Sequence, residues 1–192
     1  LGLIIIDEQH KFGVNQRKKL SDKGGNNCDI LLMTATPIPR TLTMTMYGDM
    51  DLSIIREKPK NRKPIQTYSK LESNINDVIK FIKKEVSVGS QVFWVCPLIE
   101  ESKKIDHSSA VKKYEYLKKI FPNQVSLLHG KTNLDEKELI LNDFLKNKFK
   151  ILVSTTIIEV GIDFPNANVI IIENANKFGL SQLHQLRGRV GR

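Results

Sequence analysis

The alternation of short apolar runs with amphipathic segments is the feature of this 192-residue chain that most constrains its fold. From Ile75 to Val86, for example, apolar residues recur on one face of a helix, and an apolar run follows at 91–96. Strands joined through helices of this length predict right-handed crossovers and parallel pairing. The predicted fold class is therefore α/β, built on parallel sheets. The runs predicted as strands are 3–7, 30–34, 65–69, 91–96, 125–129, 151–154 and 169–172.

Helix ends are also marked in the sequence. Gly89 and Pro122 are predicted to end two helices, because neither residue type continues a helix well. Asn133 and Glu136 have the spacing of a capping box that opens a third helix, and Ser181 is predicted to cap a last one. The apolar runs at 3–7, 151–154 and 169–172 lack polar alternation, which predicts strands buried on both faces.

A charged segment divides the chain. Residues 56–64 read Arg-Glu-Lys-Pro-Lys-Asn-Arg-Lys-Pro and lack hydrophobic periodicity, which is typical of a domain linker. Two domains are therefore expected, one from 1 to about 60 and one from about 61 to 192.

The net charge of +9 and the pI of about 9.5 favour a polyanionic partner. Nucleic acid is the first candidate and an acidic membrane surface the second. Residues 1–63 carry +4, from 11 Lys and Arg against 7 Asp and Glu, and the remainder carries +5, from 19 against 14. The basic charge is thus not confined to a tail.

The two cysteines, Cys28 and Cys96, have no metal-like spacing and lie in or beside apolar runs. They are predicted to be buried free thiols in a reducing compartment, so a cytoplasmic location is expected. No apolar run approaches membrane-spanning length and no signal peptide is recognisable, so no membrane partner is expected. Because the chain opens in a strand-like run and ends within an arginine-rich motif, a fragment cut at both ends is expected.

Polar residues follow several predicted strands, and in parallel sheets ligands bind beyond the carboxyl ends of the strands. Asp7 ends an apolar run and could hold Mg²⁺, while Glu8 could orient or deprotonate a water. The alternative is a strand that ends in a polar turn. Thr34 and Thr36 could link such a carboxylate to a neighbouring site, although a turn before Pro37 is the better explanation when these residues are taken alone.

Two later segments suit phosphate groups. Residues 154–163 combine hydroxyl side chains with Gly161, which permits close approach, and Asp163 could accept a hydrogen bond from a ribose hydroxyl. The alternative is a solvated loop. The chain ends Leu-His-Gln-Leu-Arg-Gly-Arg-Val-Gly-Arg at 183–192, and guanidinium groups match phosphate oxygens. A solvated basic tail is the alternative. His129-Gly130-Lys131 is interpreted as a turn, and Trp94 as a core residue.

Taken in order, these segments resemble the motifs of superfamily 2 nucleic-acid helicases. Asp7–His10 resembles motif II in its DExH form, Thr34–Thr36 motif III and Val92–Ser102 motif IV. Ser154–Asp163 resembles motif V, and Gln185–Arg192 motif VI. Five motifs in order along nearly the whole chain make the resemblance specific. It implies RecA-like lobes: residues 1–60 as the last part of lobe 1 and 61–192 as most of lobe 2, with ATP between them.

Longer blocks at 7–14, 33–42, 95–102 and 171–192 closely resemble the RecG family of bacterial ATP-dependent DNA helicases, which remodel branched DNA in repair, recombination and fork rescue. The related Mfd translocases share two of these blocks, and His10 favours RecG over them. The resemblance implies ATP and Mg²⁺ as cofactors, forks or Holliday junctions as DNA partners, and a monomer. A non-catalytic remnant of a split or decayed helicase gene is the alternative, which the neighbouring reading frames would distinguish.

The resemblance also implies roles for individual residues. Asp7 would hold Mg²⁺, Glu8 would activate water, and Arg189 and Arg192 would be arginine fingers on the γ-phosphate. Gly161, Asp163 and Gln185 would bind the nucleotide. His10, Thr34 and Thr36 would couple nucleotide state to DNA. Thr155 and Thr156 would bind DNA. No Gly-x-x-x-x-Gly-Lys-Ser/Thr sequence occurs in the chain, so these 192 residues alone are expected not to hydrolyse ATP.

Overall fold

The chain forms two compact units, Leu1–Arg56 and Glu57–Arg192, whose boundary falls at the start of the predicted linker. The computed structural model describes residues 1–7, 19–20, 22–24, 28–34, 51, 53–57, 62, 64–97, 103–130, 132–155 and 163–191.

The first unit contains a parallel pair of strands, β1 (Leu3–Asp7) and β2 (Asp29–Met33), in register from Leu3 opposite Asp29 to Asp7 opposite Met33. Both strands were predicted. The expected burial of residues 3–7 on both faces is wrong: Ile4 and Ile6 are buried, but Ile5 is 56% exposed. The reason is that one face of this two-stranded sheet lacks a covering layer within the described part of the unit.

The second unit alternates helices and strands. Its elements in chain order are α1 (Ile75–Ser87), β3 (Gln91–Val95), α2 (Lys103–Ile120), β4 (Val125–Leu128), α3 (Leu134–Leu145), β5 (Ile151–Ser154), β6 (Ala167–Ile172) and α4 (Leu180–Arg187). Short 3-10 turns at Glu72–Asn74 and Ala175–Lys177 precede α1 and α4. Gly89 follows α1 with a φ of +94°, a conformation that favours glycine and ends the helix as predicted.

The four strands of this unit form one parallel sheet in the order β4-β5-β3-β6. β3 and β5 are central and buried at every position, whereas β6 is an edge strand whose last three residues are half-buried. The predicted burial on both faces is therefore confirmed for 151–154 and wrong for 169–172. An edge strand is covered less completely than a central one, which accounts for the difference.

Helices cover both faces of the sheet. On one face, α1 and α2 pack through Ile82 and Leu117 on Val92, Trp94 and their neighbours. On the other face, α3 packs with a cluster of aromatic side chains: Phe93, Phe144, Phe149 and Phe164. Trp94 is fully buried, in agreement with its interpretation as a core residue.

Two sequence predictions for the ends of this unit are wrong. Residues 65–69 do not form a strand: Ile65 packs against the aromatic cluster, its carbonyl accepts a hydrogen bond from Arg187 instead of from a strand, and residues 66–69 are exposed. Ser181 does not cap α4. The helix begins two residues earlier than such a cap predicts, at Leu180 after Gly179, whose amide donates to Gln182 Oε1 at 3.0 Å.

Asn133 caps α3 as its sequence predicts. Its Oδ1 accepts a hydrogen bond from the Glu136 amide at 2.7 Å. We expect Asn133→Ala to lower the free energy of unfolding by about 1 kcal/mol, because the helix loses a partner for one of its free amides. Asn133→Asp keeps the acceptor and is the matched control. Urea unfolding followed by circular dichroism measures both, and equal stability of the alanine and aspartate variants would contradict the prediction.

Candidate nucleotide and nucleic-acid sites

The carboxyl edge of the four-stranded sheet carries Thr155, a residue that was predicted to contact DNA. Ser154 ends β5, and Thr155 follows it with its amide 3.4 Å from the Leu128 carbonyl. Thr155 is only 5% exposed, so its side chain offers little surface to a ligand. The Cys96 amide continues the ladder by donating to the Ser154 carbonyl at 2.8 Å. This edge is therefore ordered by backbone hydrogen bonds up to Thr155.

A polar network that the sequence analysis did not find occupies the same edge. Lys113 Nζ lies 2.6 Å from Glu173 Oε1 and 5.1 Å from the centre of the Trp94 ring. Cys96 Sγ donates to Glu173 Oε2 at 3.5 Å. The position of Glu173 directly after the apolar run of β6 is the same signal that singled out Asp7, and it could have marked this carboxylate.

Burial, together with the charge and hydrogen bond of Glu173, raises the pKa of the Cys96 thiol from 9.0 to about 12. The folded thiol therefore stays protonated while an unfolded thiol ionises. The stability contributed by Cys96 is fully present below about pH 9 and is lost as the pH rises from 9 towards 12.

We expect Cys96 to react slowly with thiol reagents at pH 8, by a factor of at least ~10² relative to the urea-unfolded chain, because few molecules carry the thiolate. The half-buried Cys28 is the internal reference. Rates with a chromogenic disulfide are compared in Cys28→Ser and Cys96→Ser, each of which leaves one thiol. Equal rates for Cys96 in the folded and unfolded chains would contradict the assignment.

His129 and Thr132 close a tight turn after β4. The Thr132 amide donates to the His129 carbonyl at 3.0 Å, and the His129 amide donates to Thr132 Oγ1 at 3.2 Å. The interpretation of this segment as a turn agrees with these bonds. Lys131 lies outside the described residues.

Two of the predicted nucleotide-binding residues of the second unit, Asp163 and Arg189, lie at the opposite edge, near the amino end of β6. Asp163 is exposed and precedes Phe164, whose carbonyl accepts from the Ala167 amide at 3.0 Å. The Gly191 amide donates to the Ala167 carbonyl at 3.2 Å. Phe164 and Val190 belong to the same buried cluster. The structure therefore brings Asp163 and the segment 188–191, which contains Arg189, to the start of β6.

The carboxyl edge of the sheet thus carries Thr155, and the amino edge carries Asp163 and Arg189. In the parallel register, Ser154 and Ile172 both pair with Val95, whereas Ala167 pairs with Gln91. Along the strand direction, Thr155 and Ala167 are therefore separated by roughly 16 Å, the length of five strand residues. One set is predicted to bind DNA and the other to bind nucleotide, and this separation leaves room for two different ligands.

Arg189 follows α4 in a turn held on several sides. Its amide donates to the Leu186 carbonyl at 3.0 Å, and Val190 beside it is 2% exposed. Gln185 is half-buried on α4 itself. Two arginines that no sequence pattern indicated also touch this turn region: Arg62 donates to the Gly188 carbonyl and Arg187 to the Ile65 carbonyl, each at 3.0 Å.

In the first unit, Asp7 and Thr34 lie at the same sheet edge, because Asp7 pairs with Met33 and Thr34 follows directly. Both are exposed. A single carboxylate at a strand end fits Mg²⁺, which uses one or two carboxylates together with phosphate and water. Within the described ranges, no group of three or more His, Cys, Asp and Glu side chains is placed to hold a metal.

Six of the predicted site residues lie outside the described residues: Glu8, His10, Thr36, Thr156, Gly161 and Arg192. None of the helices that the structure describes combines the length and hydropathy needed to cross a bilayer.

Comparison with known proteins decides the family. A family model described as the helicase conserved C-terminal domain matches residues 73–192. The chain belongs to this helicase C-terminal domain family. The match covers all of the four-stranded sheet and both edges described above, so the second unit is a RecA-like helicase lobe. The α/β fold class with parallel sheets is confirmed.

Among bacterial members of this helicase family, the chain is similar to ATP-dependent DNA helicases RecG over its full length. It is 52% identical to RecG of Bacillus subtilis, 55% to RecG of Streptococcus pneumoniae and 53% to RecG of Thermotoga maritima. It covers 28%, 29% and 25% of these relatives, so it spans between a quarter and a third of their length.

Solved structures agree with the helicase fold. A structure of RecG bound to a three-way DNA junction matches with a TM-score of 0.69 at 48% identity, over 100% of this chain and 24% of that one. S. cerevisiae Dbp5 bound to RNA and ADP BeF3 matches with a TM-score of 0.65 at 20% identity, over 100% of this chain and 50% of that one. The second likeness concerns the fold alone.

Proposed function

We propose that this chain is part of the motor core of a RecG-type ATP-dependent DNA helicase that acts on branched DNA. The observation that carries the proposal is the similarity to RecG helicases over 100% of the chain at about half identity. The RecG structure that the chain resembles is bound to a three-way junction, which supports forks or Holliday junctions as the DNA partner. The net charge of +9 suits the phosphate backbone of DNA.

ATP is the proposed nucleotide. Arg189 and Arg192 would neutralise the charge that develops on the transferred phosphate, and Asp163 with Gln185 and Gly161 would contact the nucleotide. Asp7 would hold Mg²⁺, which would supply positive charge to offset the negative charge of the phosphates, and Glu8 would orient or deprotonate the attacking water.

The proposed DNA contacts are at the other edge of the sheet of the second unit. Thr155 and Thr156 would lie beside the DNA backbone; since the Thr155 side chain is nearly buried, its contact would use the strand end and the residues that follow it. His10, Thr34 and Thr36 would couple nucleotide state to DNA. A cytoplasmic monomer without a membrane partner completes the proposal.

A chimera tests this function. The 192 residues replace the segment that they match in the Bacillus subtilis RecG, with which they share 52% identity. We call this protein the RecG chimera. It is expected to hydrolyse ATP when a three-way junction is added and to unwind that junction. The unmodified Bacillus subtilis protein is the control. A chimera that unfolds cooperatively and binds ATP but neither hydrolyses it nor unwinds DNA would refute the proposed function.

The 192-residue chain alone is proposed to lack ATPase activity, because a P-loop sequence is absent from these residues. The purified chain is assayed with and without junction DNA, and Glu8→Gln serves as the control for contaminating ATPases. Turnover that disappears in Glu8→Gln would contradict this proposal.

A further inference from the structure

Two reciprocal hydrogen bonds join the start of the second unit to the end of α4. Arg62 Nη2 donates to the Gly188 carbonyl at 3.0 Å, and Arg187 Nη2 donates to the Ile65 carbonyl at 3.0 Å. Each arginine thus binds a backbone carbonyl in the segment that contains the other arginine. We call the four residues Arg62, Ile65, Arg187 and Gly188 the arginine clasp.

The Gly188 carbonyl is a strong acceptor for a cation. Gly188 is the C-cap of α4, and the last carbonyls of a helix lack intrahelical donors and carry its negative partial charge. A guanidinium donating to such a carbonyl satisfies the hydrogen bond and complements the helix dipole. The nearest Arg62 nitrogen would lie 3.6 Å from a Cβ built on Gly188, so the guanidinium packs directly against this residue.

Gly188 is covalently joined to Arg189, the proposed arginine finger. The other side of the same turn is held by Val190 in the aromatic cluster and by the bond from the Gly191 amide to the Ala167 carbonyl. Before Arg189, the Gly188 amide donates to the His184 carbonyl at 3.1 Å and the Arg189 amide donates to the Leu186 carbonyl at 3.0 Å, so both bonds lead back into α4. The bond from Arg62 links the carbonyl directly before Arg189 to a residue outside α4, and its loss would loosen that peptide.

We propose that Arg62 is a positioning residue for ATP hydrolysis, acting through the arginine clasp to hold the backbone of Arg189 in place. The proposal rests on the proposed function, since it needs Arg189 to act on the phosphate. A displacement of about 1 Å at a catalytic group is enough to slow a reaction by up to ~10²-fold. Arg62 itself need not touch the nucleotide, so its loss acts on kcat more than on the KM for ATP.

The first measurement compares Arg62→Gln with Arg62→Lys in the RecG chimera. We expect Arg62→Gln to lower the kcat for junction-stimulated hydrolysis roughly tenfold and to change the KM for ATP less than about twofold. Arg62→Lys retains a cationic donor and is expected to recover most of the loss. Arg56→Gln, at an exposed arginine in the first unit, is the matched control and should have wild-type kinetics. Loss of kcat without rescue by lysine would overturn the proposal.

A double-mutant cycle separates positioning from a general structural effect. Arg62→Gln is combined with Arg189→Ala, and hydrolysis is followed with radiolabelled ATP so that low rates stay measurable. If Arg62 acts through Arg189, its loss has no further effect once Arg189 is absent. A full tenfold effect that persists in the Arg189→Ala background would overturn the proposal.

Arg187→Gln is a second variant in case Arg62→Gln unfolds. It breaks the other bond of the clasp and is expected to reduce kcat in the same direction, with a cycle against Arg189→Ala again showing no further loss. If Arg189→Ala alone leaves hydrolysis unchanged, the proposed function of Arg189 fails, and this result is distinct from failure of the clasp.

Discussion

Replacing Arg189 with alanine is expected to reduce the kcat of the RecG chimera by about 10³-fold or more, the range in which an arginine finger contributes to phosphoryl transfer. The reason is electrostatic: a guanidinium held by the turn at 188–191 offers fixed donors to charge that develops in the transition state. Substrate binding should weaken far less, because ground-state ATP makes other contacts. Initial rates over a range of ATP concentrations separate kcat from KM.

Arg189→Lys and Arg56→Ala are the controls for this experiment. Lysine keeps one positive charge but loses the planar fork of donors, so an intermediate kcat is expected. Arg56 lies outside the second unit and should tolerate alanine. A kcat for Arg189→Ala within threefold of wild type, in a variant with unchanged thermal stability, would show that Arg189 does not act on the phosphate.

Phe144→Ala is expected to lower the free energy of unfolding of the second unit by about 3–5 kcal/mol. The Phe144 ring is fully buried, with ring centres of Phe93, Phe149 and Phe164 at 5.2, 5.3 and 5.3 Å. Its removal leaves a cavity that the paired strands around it cannot readily fill. Single domains have free energies of unfolding of only about 5–15 kcal/mol, so the variant would lose a large share of its stability.

Phe81→Ala is the matched control, because Phe81 is 48% exposed on α1. Its cost should stay below about 1 kcal/mol. Both variants of the 192-residue chain are unfolded in urea. Their free energies of unfolding are compared by using one common slope of free energy against urea concentration. Similar costs for the two phenylalanines would contradict the assignment of the aromatic cluster as the core of this face.

The strands and helices of the second unit were predictable where one local signal dominated. Unbroken apolar runs identified β3 and β5, and the spacing of Asn133 and Glu136 identified the start of α3. Residues 65–69 have a strand-like pattern but form no strand. Ile65 instead packs against the aromatic cluster, and its carbonyl accepts a hydrogen bond from Arg187. Such tertiary contacts override local propensity and leave no mark in a short window.

The site residues, too, were only partly predictable from the sequence. The residue types of Asp7, Asp163 and Arg189 suggested phosphate chemistry, and their order resembled helicase motifs. The placement of Asp163 and Arg189 together at the amino end of β6 could not be read from the rule that ligands bind at carboxyl ends of strands. The arginine clasp was equally hidden, since its two bonds join residues 126 and 122 positions apart.

That sequence distance has a consequence for the order of folding. Closing a loop of more than a hundred residues costs conformational entropy. Favourable contacts offset this cost only after the intervening segments have collapsed. The pairing of β4 with β5 through α3 closes a far shorter loop and can form early. On a ribosome, Arg62 leaves the exit tunnel long before its acceptor Gly188 does. The pairing of β4 with β5 can therefore precede the bond between Arg62 and Gly188, so the turn that carries Arg189 gains this anchor late in folding.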